Sequence, residues 1–148
     1  MDPVTVSLDI PKPREEIYAF LDVLADHERF TDHLLTDWEA AGPASGVGAK
    51  VTARVKAPGS NEIVSIEVIE TEPPARIVEE SVGAGGRRRT RGTYELEELS
   101  AGATRVSFEL AWIEAPRLER IGAPLNRAFI KRANGKAMKR LARALTAS

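Results

Sequence analysis

Polar side chains recur at every second position of several extended segments, a spacing that puts them on one face of a sheet. Arg88, Thr90 and Tyr94 share one phase, Trp112 and Glu114 share a phase on the next segment, and Glu80 lies on the segment before them. Brought to a common face, a Tyr94 hydroxyl can donate to a carbonyl oxygen, Arg88 can hold the charge of an enolate, and Glu80 can take a proton if burial raises its pKa. Such an arrangement would do acid–base work. It depends on strand phase, which a single bulge inverts. Each residue also has a purely structural reading. Tyr94 and Trp112 suit a sheet core with a polar tip at the rim. Arg88 follows a glycine turn, and Glu80 and Glu114 lie near strand ends, where charged groups face water. His27 and His33 fit surface or capping positions in a helical segment.

Other chemistries are excluded more simply. The chain has no cysteine, which removes disulfides, thiolate nucleophiles and cysteine metal sites. His27 and His33 are six apart, about 600° of helical rotation, unlike the i, i+4 histidines of a zinc helix, so no metal is expected. There is no G-x-S-x-G, and Gly83-Ala84-Gly85-Gly86 lacks the lysine and hydroxyl of a phosphate loop. No cofactor is expected. The net charge of −1 hides an uneven distribution, with Arg87, Arg88, Arg89 and Arg91 close together and a run of Lys and Arg between 117 and 143. A solvated outer face accounts for that run better than nucleic-acid binding, since acids elsewhere cancel it. No apolar run approaches the ~20 residues of a membrane span. The start MDPVTVSLDI lacks the features of a signal peptide, so a cytoplasmic location is expected.

The elements that must hold these residues follow from periodicity. Val4, Val6, Leu8 and Ile10 alternate with polar residues as a half-buried strand. Pro11 and Pro13 end it, and Ile17, Phe20, Leu21 and Leu24 predict a first helix of about ten residues. Asp26 is a candidate N-cap for a second short helix, with Phe30 and Leu34 as an i, i+4 pair. Strands are predicted around Trp38, over 50–57, 64–68 and 76–82, and as a hairpin in which Thr90, Gly92, Tyr94 and Leu96 face Val106, Phe108, Leu110 and Trp112. From Pro116 the period becomes helical, and Leu118, Ile121, Leu125, Phe129, Ala133, Ala137, Leu141 and Leu145 trace one stripe, with Gly122 and Pro124 interrupting its start. A single domain over 1–148 is expected, of α+β class: one strand, two short helices, six strands, one long helix. The apolar sheet face needs a cover, and only the C-terminal helix is long enough.

This order, with the stretches VSLDIPKPREEIYAFLDVLADHERFTDHL, VIETEPPARIVEES, GTYELEELSAGATRVSFELAW and APLNRAFIKRANGKAMKRLARAL, resembles the START-like (SRPBCC) superfamily over essentially the whole chain. It looks most like the bacterial polyketide cyclase/dehydrase branch. The resemblance implies a helix-grip fold, a curved antiparallel sheet of about seven strands wrapped around the long helix, with a cavity for lipids, polyketides or other apolar molecules. The first expectation is therefore a binding protein or carrier for a small hydrophobic molecule. The alternatives are a cofactor-independent cyclase, aromatase or dehydratase, and an interaction module in which the basic helix and residues 87–91 meet an acidic partner. The cavity is expected between strands at 51–57, 64–68, 94–96 and 106–112 and helix residues 125–137. Its expected lining is Val55, Ile66, Val68, Thr90, Tyr94, Phe108, Trp112, Leu125, Phe129 and Ala133, with Tyr94, Arg88 and Glu80 as candidate catalytic groups. The small residues Ala133 to Ala137 would leave room for ligand, and the protein is expected as monomer or homodimer.

Overall fold

Val4 and Ile10 are buried while Thr5, Ser7 and Asp9 face water, and in the computed structural model, which describes residues 1–147, this alternation forms β1 (Val4–Ile10). Pro13 occupies the N-cap of α1 (Arg14–Leu21), and Glu15 and Glu16 lie in its first turn, where the helix dipole favours acids. A 3-10 turn (Leu24–His27) and a single α-turn, α2 (Glu28–Thr31), follow. The second helix is thus shorter than its i, i+4 pair predicts. Asp26 lies inside the 3-10 turn instead of capping, and Leu34 falls outside the helix.

Six strands come next: β2 (Leu35–Ala41), β3 (Lys50–Val55), β4 (Ile63–Glu72), β5 (Arg76–Gly83), β6 (Arg88–Ser100) and β7 (Ala103–Glu114). All neighbours are antiparallel, in the order β1-β7-β6-β5-β4-β3-β2. Register irregularities at Thr36/Glu39, Val68/Glu70, Arg89/Thr90 and Glu98/Ser100 add the local twist that bends a sheet. The chain ends with α3 (Arg117–Ile121) and the 24-residue α4 (Ala123–Thr146). This is the α+β helix-grip architecture, with the long helix against the inward face of the sheet.

The core joins Ile10 of β1, Ile17 and Leu21 of α1, Leu24, Phe30, Val51, Ile77, Val106 and Leu141 of α4, all essentially inaccessible to water. Each such side chain contributes about 1.5–3 kcal/mol by burial. Only part of the predicted helical stripe takes part. Ala133, Ala137, Met138 and Leu141 are buried, whereas Leu118, Ile121, Leu125 and Phe129 are exposed. Gly122, with φ −88° and ψ 22°, separates α3 from α4, so the stripe is not one continuous face. His33 ties α4 to the segment after α2. Its Nε2 donates to the Ala133 carbonyl at 3.0 Å, and its Nδ1 accepts from Arg140 at 2.9 Å, while Arg140 also pairs with Asp32.

Candidate functional site

Between sheet and α4 lie two compartments that share Leu34, Leu35, Ile66, Ser81 and Leu110 as walls. The inner one encloses about 130 Å³ beneath Ala137 and Met138; the outer one holds about 360 Å³ and reaches Phe129 and Ile130. At about 130 Å³ the inner space is slightly smaller than the ~150 Å³ cavity that accepts benzene.

The inner compartment is apolar apart from a few groups. Register sets the most important of them: Ile77 pairs with Tyr94, Glu79 with Gly92 and Ser81 with Thr90, so Glu79 shares the inward face with Tyr94. Gly92 makes this possible, because a Cβ there would lie 2.8 Å from the Phe108 ring and 3.3 Å from Glu79 Cγ. Glu79 is 7% exposed and its Oε2 has no hydrogen-bond partner. Burial raises its pKa to about 7, since the charged form is poorly solvated. His27 faces it across 4.0 Å, Nδ1 to Oε2. The ring's Nε2 donates to the Leu21 carbonyl at 2.7 Å, which leaves Nδ1 as the lone-pair nitrogen of a neutral imidazole. Burial holds the His27 pKa down at about 4. At pH 5–6 the pair is therefore carboxylic acid and neutral imidazole, with no ion pair despite the short separation.

Tyr94 stacks edge-on to His27 at 5.6 Å and packs on Phe108 at 4.5 Å. Burial, and secondarily the Glu79 charge, push its phenol pKa well up, so it stays a proton donor to hydrogen bonds. From the helix side, Asn134 also lines the space, with a buried Nδ2 that has no partner. A carboxyl titrating near neutrality, a phenol and an unpaired amide thus converge on an apolar space.

The outer compartment ends in a different device. Arg88 makes a bidentate pair with Glu62 at 2.7 and 2.8 Å, and its Nε donates to Glu119 of α3 at 3.1 Å. Asn126 donates to the Glu119 carbonyl at 2.8 Å. This network fastens α3 and the start of α4 to the first residue of β6 and to Glu62, just before β4.

Several expected positions move. Glu80 lies on the outer face, where Arg89 and Arg91 hold it at 3.2 Å each and keep its pKa below the usual carboxylate range; Glu79 takes the inward place. The reason is that β5 reads Ile77-Val78-Glu79-Glu80, with no alternation, so its phase comes from pairing with β6. Arg88 lines the outer compartment but is saturated by carboxylates, which removes it as an enolate partner. Val55, Ile66, Thr90, Trp112 and Phe129 line the outer compartment, and Ile66, Tyr94 and Phe108 the inner one. Val68 is buried in the core, Ala133 is buried against the His33 contact, and Leu125 is 80% exposed; none of these three lines either space. His27 is in the core, contrary to its surface assignment. Leu21, Leu24, His27 and Phe30 recur at every third position, the period of a 3-10 turn, and that signal points to a buried His27. Among the described residues no group of three or more His, Cys, Asp or Glu is placed to hold a metal, and no helix is long and apolar enough to cross a membrane.

No protein-family model matches the sequence, and no curated protein matches it. Solved structures do. A protein from Thermus thermophilus superposes with TM-score 0.77 at 17% identity, over 99% of this chain and 98% of its own. Truncated norcoclaurine synthase from Thalictrum flavum superposes with TM-score 0.76 at 13% identity, over 99% and 94%. The Zhui aromatase/cyclase from a Streptomyces species superposes with TM-score 0.70 at 12% identity, over 99% and 98%. At such identities the likeness is one of fold, and with the topology above it shows that this chain has the helix-grip fold of those proteins.

Proposed function

We propose that the chain takes a small, largely apolar carbonyl compound into the two compartments and acts on it as a cofactor-independent cyclase or dehydratase, with Glu79 as the proton-transfer group. The observation that carries this reading is the unpaired, buried Glu79 carboxyl facing an apolar space, with a pKa of about 7. Near neutral pH both its forms are populated, so one residue can remove a carbon-bound proton and later return it to a departing hydroxyl. Tyr94, kept as a neutral phenol, and Asn134 supply donors for carbonyl oxygens as charge develops on them. The aromatase/cyclase and norcoclaurine synthase on the same fold support an enzymatic reading by analogy.

A suitable probe is heptane-2,6-dione, which closes to a methylcyclohexenone. Glu79 takes a methyl proton, the enolate carbon bonds to the distant carbonyl carbon, and Glu79 returns the proton to the resulting alkoxide; Glu79 then takes a second proton from the same carbon and delivers it to the hydroxyl, which leaves as water as the ring double bond forms. Wild type is expected to speed enone formation, and Glu79→Gln to lose about 10²–10⁴-fold of that rate while still binding the neutral dye N-phenyl-1-naphthylamine. Equal rates for the two proteins would sink the reading.

The outer compartment favours a second reading, since its walls are mainly aliphatic and aromatic: a carrier that holds an apolar ligand without changing it. Dye binding without turnover of the dione would favour it. Either reading requires the inner space. Ala137→Phe, at a buried position lining it, is expected to weaken dye binding at least about tenfold, measured by fluorescence titration.

A further inference from the structure

The start of the C-terminal helical segment is apolar where no protein covers it. Leu118 and Ile121 of α3 and Leu125 and Phe129 of α4 are 82, 73, 80 and 62% exposed, and Ile113 at the end of β7 is exposed beside them in sequence. Single exposed leucines need no explanation, but four large exposed apolar side chains within twelve residues, two on α3 and two on α4, mark an interaction site.

Charge narrows what the patch meets. Residues 117–147 carry nine Lys or Arg and one acid, Glu119, which is engaged by Arg88. The segment is formally +8, leaving −9 on the remainder of the chain. Arg87 reaches the same end of the molecule, sharing a groove with Arg117 and Leu118. A two-fold pairing through this face would set one +8 helix against another, so the charge disfavours a second copy and favours an anionic partner. Continuity with the cavity narrows it further, because Phe129 belongs both to the exposed patch and to the wall of the outer compartment. An apolar ligand entering there meets the patch first.

We propose that this face docks on an anionic lipid bilayer. Leu118, Ile121, Leu125 and Phe129 enter the headgroup and acyl boundary, the exposed Arg117, Arg120, Lys131 and Arg132 lie at the phosphate level, and the outer compartment opens toward the membrane. Exposed apolar side chains with Lys and Arg beside them bind interfaces through both contributions, apolar insertion and attraction to anionic headgroups. The docking is independent of whether Glu79 catalyses.

The test is co-sedimentation of the full chain with vesicles of phosphatidylcholine alone and of phosphatidylcholine mixed with phosphatidylserine. Partition onto the serine-containing vesicles is expected to be at least about tenfold stronger, and to fall as salt is raised. Leu118→Glu with Leu125→Glu is expected to reduce it at least about tenfold. Both leucines are exposed and line neither compartment, so uptake of N-phenyl-1-naphthylamine in vesicle-free solution should persist and report an intact fold. Equal partition onto both vesicle types, or vesicle binding unchanged in the double variant, overturns the proposal. So does a concentration-dependent dimer that the double variant dissolves in the absence of any vesicle binding. Binding to polyglutamate that matches the vesicles and ignores the double substitution assigns the face to an acidic protein and overturns it too.

Discussion

Glu79→Gln is expected to make the fold more stable above neutral pH while removing proton transfer. The folded-state pKa of Glu79 is about 7, against 4.5 for an ordinary glutamate. Between those values the folded chain keeps a proton that the unfolded chain has lost, so stability falls as pH rises through that window. Above pH 7 the whole cost is present, about 3 kcal/mol at 1.36 kcal/mol per unit. Glutamine has nearly the same shape and never ionises, so it escapes this cost. Urea denaturation should find the variant about 3 kcal/mol more stable than wild type at pH 8.5 and close to it near pH 4.5. His27 works in the opposite direction. Its folded pKa of about 4 lies below the ordinary 6.5, so its contribution is complete above pH 6.5 and is lost as pH falls toward 4. In wild type the two slopes oppose each other between pH 4.5 and 6.5, and Glu79→Gln should expose the histidine slope alone. A variant with the same pH profile as wild type would mean that Glu79 is solvated and the proposed site chemistry fails.

Gly92→Ala is expected to destabilise the protein by about 1–3 kcal/mol, the usual cost of forcing a methyl into a packed core. The added Cβ would stand 2.8 and 2.9 Å from two Phe108 ring atoms and 3.3 Å from Glu79 Cγ. Phe108 is 8% exposed and its ring packs on Tyr94, so it has little freedom except into the inner compartment. Thermal unfolding should show the loss of stability, and dye binding should weaken because the ring now occupies ligand space. Gly92 lies at neither a turn nor a positive φ, so wild-type stability in the alanine variant would remove the close approach as the reason for glycine here.

Sequence alone determined the elements and their order. Alternation in β1 and in the β6–β7 hairpin, the helical period after Pro116 and the segregation of helices to the ends specify an antiparallel sheet with one long covering helix. The absence of cysteine and the spacing of the histidines removed whole classes of chemistry without any structure. Those signals are legible because burial on one face of a regular element imprints its period on the chain.

Tertiary structure decided where the reactive groups point. In β5, two apolar residues precede two glutamates, so no local period distinguishes Glu79 from Glu80; pairing with β6 turns Glu79 inward and leaves Glu80 to Arg89 and Arg91. Arg88 reads as a free cation in the sequence because Glu62 and Glu119, its partners, are 26 and 31 positions away. The apolar stripe of the last helix looks uniform, yet only its second half is buried, because Gly122 breaks it between α3 and α4 and the outer compartment lies between the start of α4 and the sheet. The site itself, an unpaired carboxyl opposite a buried histidine, joins residues from β5, β6 and the turn after α1. Its defining property is burial, a three-dimensional quantity that no local spacing encodes.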